Sequence, residues 1–443
     1  MDPSGDDDRL SSLPDPLLTF ILSLMPTKQS ITTSILSKRW RYLYRFVTHL
    51  HLLDENLLPT SDDDNRSTIQ IWESMLNSVQ LSVHGPIHVC RISFSPSKNH
   101  YILRMNDFLM SLIERGIREL SVMNRGGGGC FYELPSLVFF CSTLEKLELG
   151  KCMLSILPPS PSNFSNIRSL ILSGVYFTND QFQQMVSCCR LLETLKVDCC
   201  VKVRNFRIAA RKLWSLEIIT LNRIQISLRD TEQLREATFS FLSAYNDTCI
   251  RYYDDSSREE DEDQADRLVQ LFMDLSCCYH LERLSLHFCT DFAECLQWQR
   301  AEFPLSLPPQ YHLKSVKKLD MEISLSNHQL ATVLSCLLNS CPNLRELRIK
   351  DKEHLHTIGS YWEGQNPSWC LINNLRTIQI CKVNLRQSYW MGFIKFLLMN
   401  ACVCERITIQ YYGDPCSKKL VEQKLKMIQW GSPQAILELK PLC

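Results

Sequence analysis

The chain has 443 residues, 45% of them hydrophobic, so it can bury the cores of two or three domains and is not globally disordered. Lys plus Arg and Asp plus Glu are both 48, a net charge of +0, which supplies no overall drive toward nucleic acid or an anionic membrane. The acidic start MDPSGDDDRL lacks the basic segment and apolar core of a secretory signal, and no apolar run reaches the ~18 residues of a spanning helix. A soluble intracellular protein of the nucleus or cytoplasm is expected.

Residues 1–8 read as a flexible acidic tail. A compact helical module follows at 9–50. Asp15 followed by Pro16 predicts a helix start, a capping side chain and then a proline where a missing N–H costs nothing. Leu17, Leu18, Ile21, Leu22 and Met25 recur at helical spacing, and Pro26 stops the run. Ile31, Ile35 and Leu36 make a second short pattern. Ser37 is placed to cap a third helix, on which Trp40, Leu43, Tyr44 and Val47 share a face. Three helices in about 40 residues cannot bury so much apolar surface among themselves. Part of it is predicted to meet a partner.

Four strings fall here in one register: Leu10-Ser11-Ser12-Leu13-Pro14-Asp15, Leu17-Leu18-x-x-Ile21-Leu22-Ser23, Leu24-Met25-Pro26-Thr27-Lys28 and Thr33-Ser34-Ile35-Leu36-Ser37-Lys38-Arg39-Trp40-Arg41. Together they resemble an F-box of the plant type. Pro16 departs from a common acidic residue, and Tyr44 from a frequent tryptophan. The resemblance implies docking onto a Skp-type adaptor and, through it, onto the cullin and RING subunits of a ubiquitin ligase. By motif position it implies that Leu13, Pro14, Leu17, Leu18, Ile21, Leu22, Leu24, Pro26 and Ile35 supply the adaptor contact or its support. Lys38, Arg39 and Trp40 would shape the third helix. Other subunits transfer ubiquitin in such complexes, so the chain would be no enzyme.

Residues 51–86 form a connecting segment, with a loop at 54–68 and a helix through Ile71, Met75 and Val79. From 87 to 365 one pattern keeps returning. Its strings begin at Val89, Ile117, Leu144, Ile167, Leu192, Leu213, Leu281, Val316 and Leu344, and again at Leu375, each with apolar residues at the first, fourth and sixth places. Leu234-x-x-Ala237-x-Phe239 is a weaker member. Starts from Ile117 to Leu234 lie roughly 21 to 27 residues apart, the period of leucine-rich repeats. Each string predicts a short strand, and the stacked strands a parallel sheet lining one side of a solenoid. Thr178 to Cys188, with Phe182, Met185 and Val186 inward, and Leu330 to Leu338, with Asn327 or His328 as cap, predict helices on the return path. Residues between the core leucines face outward. Lys146, Glu148, Lys196, Glu217, Arg283, Lys318, Asp320, Glu346 and Arg348 are therefore the candidate target-binding face, although any single one is by default a solvated charge.

The cysteines number 21, an odd count that points to reduced thiols. Cys141, Cys189, Cys278 and Cys341 each stand three residues before a string, a buried structural slot. No Cys-x-x-Cys pair, catalytic motif or phosphate cradle occurs. No metal or cofactor is expected, and His354-Leu355-His356 reads as a loop. So do Gly126 to Gly129. The acidic block at 254–263, within an insertion near 246–266, reads as a solvated insertion. Arg204, Arg207, Arg211 and Lys212, near Phe206 and Trp214, read as solvated side chains rather than a nucleic-acid site. Residues 366–443 carry Leu375-Arg376-Thr377-Ile378, Phe396-Leu397-Leu398-Met399-Asn400-Ala401 and Glu405-Arg406-Ile407-Thr408-Ile409, which resemble the FBD region of plant F-box proteins with leucine-rich repeats.

The expected fold is thus α/β: a three-helix F-box followed by an irregular leucine-rich-repeat solenoid, parallel strands on one face and helices or turns on the other. The expected function is substrate recognition in a ubiquitin ligase for an unknown target protein. A binding scaffold outside any ligase, with the helices as an N-terminal cap, is the alternative.

Overall fold

The computed structural model describes residues 10, 12–53, 74, 76–94, 100–126, 129–154, 162–221, 225–242, 264–289, 303–351, 361–384, 388–412 and 417–442. The acidic tail, the 54–68 loop, Ile71, Met75, Gly127, Gly128, the acidic block at 254–263 and His354 to His356 lie outside them.

The N-terminal module consists of α1 (Asp15–Ser23), α2 (Thr27–Thr32) and 3₁₀ turns at Thr33–Ile35 and Trp40–Phe46. Two local expectations need correction. Pro14, not Asp15, is the N-cap of α1, and its ring carries no acceptor for a capping hydrogen bond. Asp15 is already helical, and its carboxylate instead accepts Arg39 Nε and Nη2 at 2.8 and 2.6 Å. The third helix is a 3₁₀ run, not an α-helix. At three residues per turn, positions i and i+3 eclipse. Trp40 and Leu43 therefore turn inward together, while Tyr44 rotates off that line and stays half-buried.

The chain divides into two compact units, residues 1–192 with 200–202, and 193–199 with 203–443. In the first, the strands are β1 (His49–Leu53), β2 (Val89–Phe94), β3 (Glu119–Asn124), β4 (Tyr132–Glu133), β5 (Lys146–Gly150), β6 (Cys152–Met153) and β7 (Ser169–Ser173). β1, β2, β3, β5 and β7 pair in that order, all parallel, and β4 pairs with β6. Leu120, Leu147 and Leu170 stand side by side, so each string sits in register on the next. β1 was not foreseen, although Leu50 and Leu52 alternate with histidines and are fully buried. Residues 76–82 are helical, with Leu76 and Val79 inward. α3 (His100–Glu114) and α4 (Asn179–Cys188) provide return paths, and α4 begins with Thr178 and Gln181 in a capping box.

In the second unit, β8 (Thr194–Asp198), β10 (Ser215–Leu221), β12 (Glu236–Leu242), β13 (Arg283–Phe288), β14 (Lys318–Ile323), β15 (Glu346–Asp351), β16 (Thr377–Val383), β17 (Arg406–Tyr412) and β18 (Ile436–Leu442) pair in order, all parallel. β9 (Asn205–Ala209) and β11 (Gln225–Arg229) form a separate pair. The helices are α5 (Gln264–Ser276), α6 (His328–Ser340), α7 (Trp369–Asn373), α8 (Ser388–Asn400) and α9 (Ser417–Lys426). Asn327 caps α6, accepting Leu330 N–H at 3.1 Å. The strands within 366–443 continue the same ladder, Ile378 opposite Ile407 and Ile407 opposite Leu437.

Small polar side chains tie repeat to repeat. The residue just before a string donates to a carbonyl of the preceding repeat: Thr143 Oγ1 to Ile117 at 2.7 Å and Asn166 Nδ2 to Ser142 at 2.6 Å. In the second unit Ser315 Oγ, Asn343 Nδ2 and Asn374 Nδ2 do the same at 3.1, 2.8 and 2.8 Å. The four cysteine slots are buried as expected, and Cys404, also buried, stands at the first apolar position of a further string, three residues before Ile407 as Leu375 is before Ile378. Burial raises the Cys189 and Cys341 thiols and pushes that of Cys278 up to about 11, so these groups stay neutral packing residues. No helix among the described residues is long and apolar enough to cross a membrane.

Candidate docking and target-binding surfaces

The helical module sorts its own residues into two sets. Leu18, Leu22 and Trp40 are buried and hold the helices together. Leu13, Ile21 and Pro26 are half-buried. Pro14, Leu17, Leu24, Ile35, Lys38 and Arg39 are exposed. Leu17 is 50% exposed, Leu24 61% and Ile35 80%, so half or more of each apolar residue lies outside the module's own core. Arg39 does more than shape the third helix. It grips Asp15 and also donates to the Leu13 carbonyl, fixing the start of α1.

Phe20, Leu36, Tyr42 and Phe46 are exposed as well and were not among the candidates. Phe20 and Phe46 line a shallow groove with Pro16, Thr19 and Leu43. The sequence did hold a signal for Phe20. Pro16, Phe20 and Leu24 follow one another at i, i+4 and i+8, a second apolar line on α1 beside the one that packs inward.

The module is also fastened to the first strand. Ser23 Oγ donates to Thr19 O at 2.9 Å and accepts Thr48 N–H at 3.1 Å. Thr27 Oγ1 accepts His51 N–H at 2.8 Å. Both hydroxyls are buried, so α1 and α2 satisfy the backbone amides of Thr48, just before β1, and of His51 within it. His49 and His51 of β1 share this region with His88, Arg91 and Glu119. Burial, aided by the cation Arg91, holds both rings below the usual imidazole value of 6.5, although Glu119 pulls His49 the other way. A histidine depressed in the folded state takes up its proton first in the unfolded chain. Its contribution is therefore intact above pH 6.5 and is lost as pH falls through the depressed value. The urea midpoint is expected to drop between pH 7.5 and pH 5.5, and to drop less in His49→Gln/His51→Gln. An equal drop in that variant would remove these two rings as the cause.

The candidate target face is where the strings place it. Lys146 and Glu148 lie at outward positions of β5 in the first unit, both half-buried. In the second unit Lys196, Glu217, Lys318 and Asp320 are half-buried, and Arg283, Glu346 and Arg348 are exposed. The structure adds what the strings do not reveal, that these charges are matched across adjacent strands. Lys196 meets Glu217 at 2.9 Å, Lys318 meets Glu346 at 2.9 Å and Arg348 meets Asp320 at 3.4 Å. Arg283 meets Glu236 at 2.7 Å, and Lys350 meets Glu322 at 2.7 Å, two acidic partners and a lysine that were not among the candidates. Each of these carboxylates lies directly opposite its cation on the adjacent strand, where cross-strand pairs interact. Among the described residues no three His, Cys, Asp or Glu side chains converge as a metal site.

Comparison with known proteins agrees with this construction. Residues 10–43 match the F-box domain model, and residues 105–251 match the model described as "FBD-associated F-box protein At5g56370, LRR repeats". In Arabidopsis thaliana, F-box/LRR-repeat protein At4g14103 is 26% identical over 281 residues, 62% of this chain and 69% of that one. F-box/FBD/LRR-repeat protein At2g04230 is 32% identical over 224 residues, so the match spans about half of each chain, 50% and 49%. F-box/FBD/LRR-repeat protein At3g26920 is 26% identical over 411 residues, 90% and 88% of the two chains. Among solved structures, the LRR protein LIC12759 of Leptospira interrogans covers 88% of this chain and 95% of its own, at 14% identity and a TM-score of 0.30, too loose a superposition to add to the fold. Residues 10–43 therefore carry an F-box and residues 105–251 FBD-associated leucine-rich repeats, the combination found in F-box/FBD/LRR-repeat proteins of Arabidopsis thaliana.

Proposed function

We propose that the chain is the substrate-recognition subunit of an SCF-type cullin–RING ubiquitin ligase. F-box/leucine-rich-repeat proteins in general bind a Skp-type adaptor and carry no catalysis of their own. The observation that supports the reading most is the exposure of Pro14, Leu17, Leu24 and Ile35 on a module whose core closes without them. In this mechanism the F-box docks on the adaptor, and the adaptor joins the cullin and RING subunits. The outward face of the strands holds a target protein, so that the target's local concentration near the conjugating enzyme rises and ubiquitin transfer becomes effectively intramolecular. Residues 366–443 act as an FBD-like closing region of the platform. The work is done in the nucleus or the cytoplasm.

A second reading is a scaffold outside any ligase. It is favoured by the bonds from Ser23 and Thr27 to the first strand, which give the helices a capping task. Co-expression with a Skp-type adaptor, followed by size-exclusion chromatography with light scattering, separates the two. A 1:1 complex is expected. A folded, intact chain that carries no adaptor through the column would overturn the ligase reading and leave the scaffold.

A further inference from the structure

On the outward face of the second unit, the ion pairs leave a gap. β10, β12, β13 and β14 are consecutive, and Glu217, Thr238, Ser285 and Asp320 lie in one row across them. In the next row Ser240, His287 and Glu322 follow on β12, β13 and β14. Thr238, Ser240, Ser285 and His287 thus make a floor of hydroxyl side chains and one imidazole. Three interstrand steps of ~4.8 Å separate the strands on either side, so the floor lies between walls roughly 14 Å apart. That span admits one extended chain with its side chains.

The walls are all neutralised. On one side Glu217 is turned to Lys196, and on the other Asp320 is turned to Arg348 and Glu322 to Lys350. Below the floor, Glu236 and Arg283 close the end with a 2.7 Å pair. The floor itself is fixed. Ser240 is buried, and its Oγ is hydrogen-bonded to His287 Nδ1 at 2.9 Å. The trough therefore has hydrogen-bonding groups and defined edges, and among the described residues its flanking carboxylates Glu217, Asp320 and Glu322 are each paired with a cation.

We infer that this trough is the target-reading subsite and that its occupant is an extended, uncharged segment of the target protein bearing hydroxyl and amide side chains. The inference rests on the proposal that the strand face holds the target, and it names the chemistry that face selects. An acidic or phosphorylated segment would meet Glu217, Asp320 and Glu322, and a basic one would have to compete with the lysines and arginines those carboxylates already hold.

The test uses the full chain bound to its adaptor and a display library of short random peptides as the probe. Selected peptides are expected to carry no net charge, and their affinity to change less than about threefold between about 50 and 500 mM salt. Thr238→Glu or Ser285→Lys is expected to weaken them by about tenfold or more. Thr238→Val with Ser285→Ala, a milder change that keeps the strands apolar enough to pair, is expected to weaken them less, and Arg207→Glu on β9 not at all. Strongly charged peptides that salt releases, and that are lost in Lys196→Glu or Arg348→Glu, would overturn the neutral trough while leaving the strand face as the target site. Peptides indifferent to every one of these strand-face substitutions would overturn both.

Discussion

Changing Leu17 and Leu24 together to alanine is expected to weaken binding to a Skp-type adaptor by about 30- to 1,000-fold, the cost of removing two apolar anchors worth about 2–4 kcal/mol. The melting temperature should stay where it is, because both side chains point to solvent in the free chain. Leu18→Ala is the control that behaves oppositely. Leu18 is fully buried, so its truncation opens a cavity and costs about 2–5 kcal/mol of stability. Isothermal titration at a temperature where every variant is folded separates the two effects. If Leu17→Ala/Leu24→Ala binds the adaptor as tightly as the parent chain, the exposed leucines are not the docking surface. The pair is chosen over Leu13 and Pro14 because Leu13 is only half-buried and its carbonyl takes part in the Arg39 grip, so changes there mix contact with fold.

Trp390→Ala is expected to be the most damaging single change in the second unit. Trp390 on α8 is fully buried, and its Nε1 donates to Asp351 Oδ2, at the end of β15, at 2.7 Å. Its ring packs edge-on to Phe393, which in turn lies against Trp362. Truncation removes about 3–5 kcal/mol of packing, and it also takes one donor from a buried carboxylate. Trp390→Phe keeps most of the volume and loses the donor alone, which is expected to cost about 1–3 kcal/mol. Chemical denaturation of the three chains checks the order. A midpoint for Trp390→Ala equal to that of the parent chain would mean that α8 is not welded to the repeat ladder. Adaptor binding measured at low temperature should be the same in all three, since the docking leucines belong to the other unit.

Much of the fold can be read from the chain because a strand exposes its period directly. In each string the first, fourth and sixth residues are apolar, and Leu147 and Leu149, or Leu284 and Leu286, can alternate inward only as strand residues. The module at residues 10–43 was legible for a different reason, the fixed register of its leucines and prolines. What stayed hidden depended on neighbours distant in sequence. β1 is three leucines and two histidines, and β18 contains Pro441; neither looks like a strand until the adjacent one is in place. The 3₁₀ run at Trp40–Phe46 has apolar positions that fit either helix type, because i and i+3 share a face in both, so the pattern alone does not choose between them. The candidate sites show the same division. Sequence placed Leu17, Leu18, Leu22 and Leu24 in one set, but only packing says that two of them point in and two point out. Likewise the strings named Lys196 and Glu217 as outward residues, and the register between β8 and β10 makes them a pair.

The hydroxyl contacts from Ser23 and Thr27 bear on how such a protein is studied. A chain lacking its docking module is a natural reagent, since it should capture the target without passing it to a ligase. Here that cut would strip the cover from β1 and bare a row of amides along a strand whose alternate residues, Leu50 and Leu52, are built to be buried. Such an uncovered margin is a template for another chain, and the truncated protein would recruit copies of itself as readily as its target. Substitution at Leu17 and Leu24 is expected to silence docking while the margin stays sealed, which makes the point variant the cleaner trap.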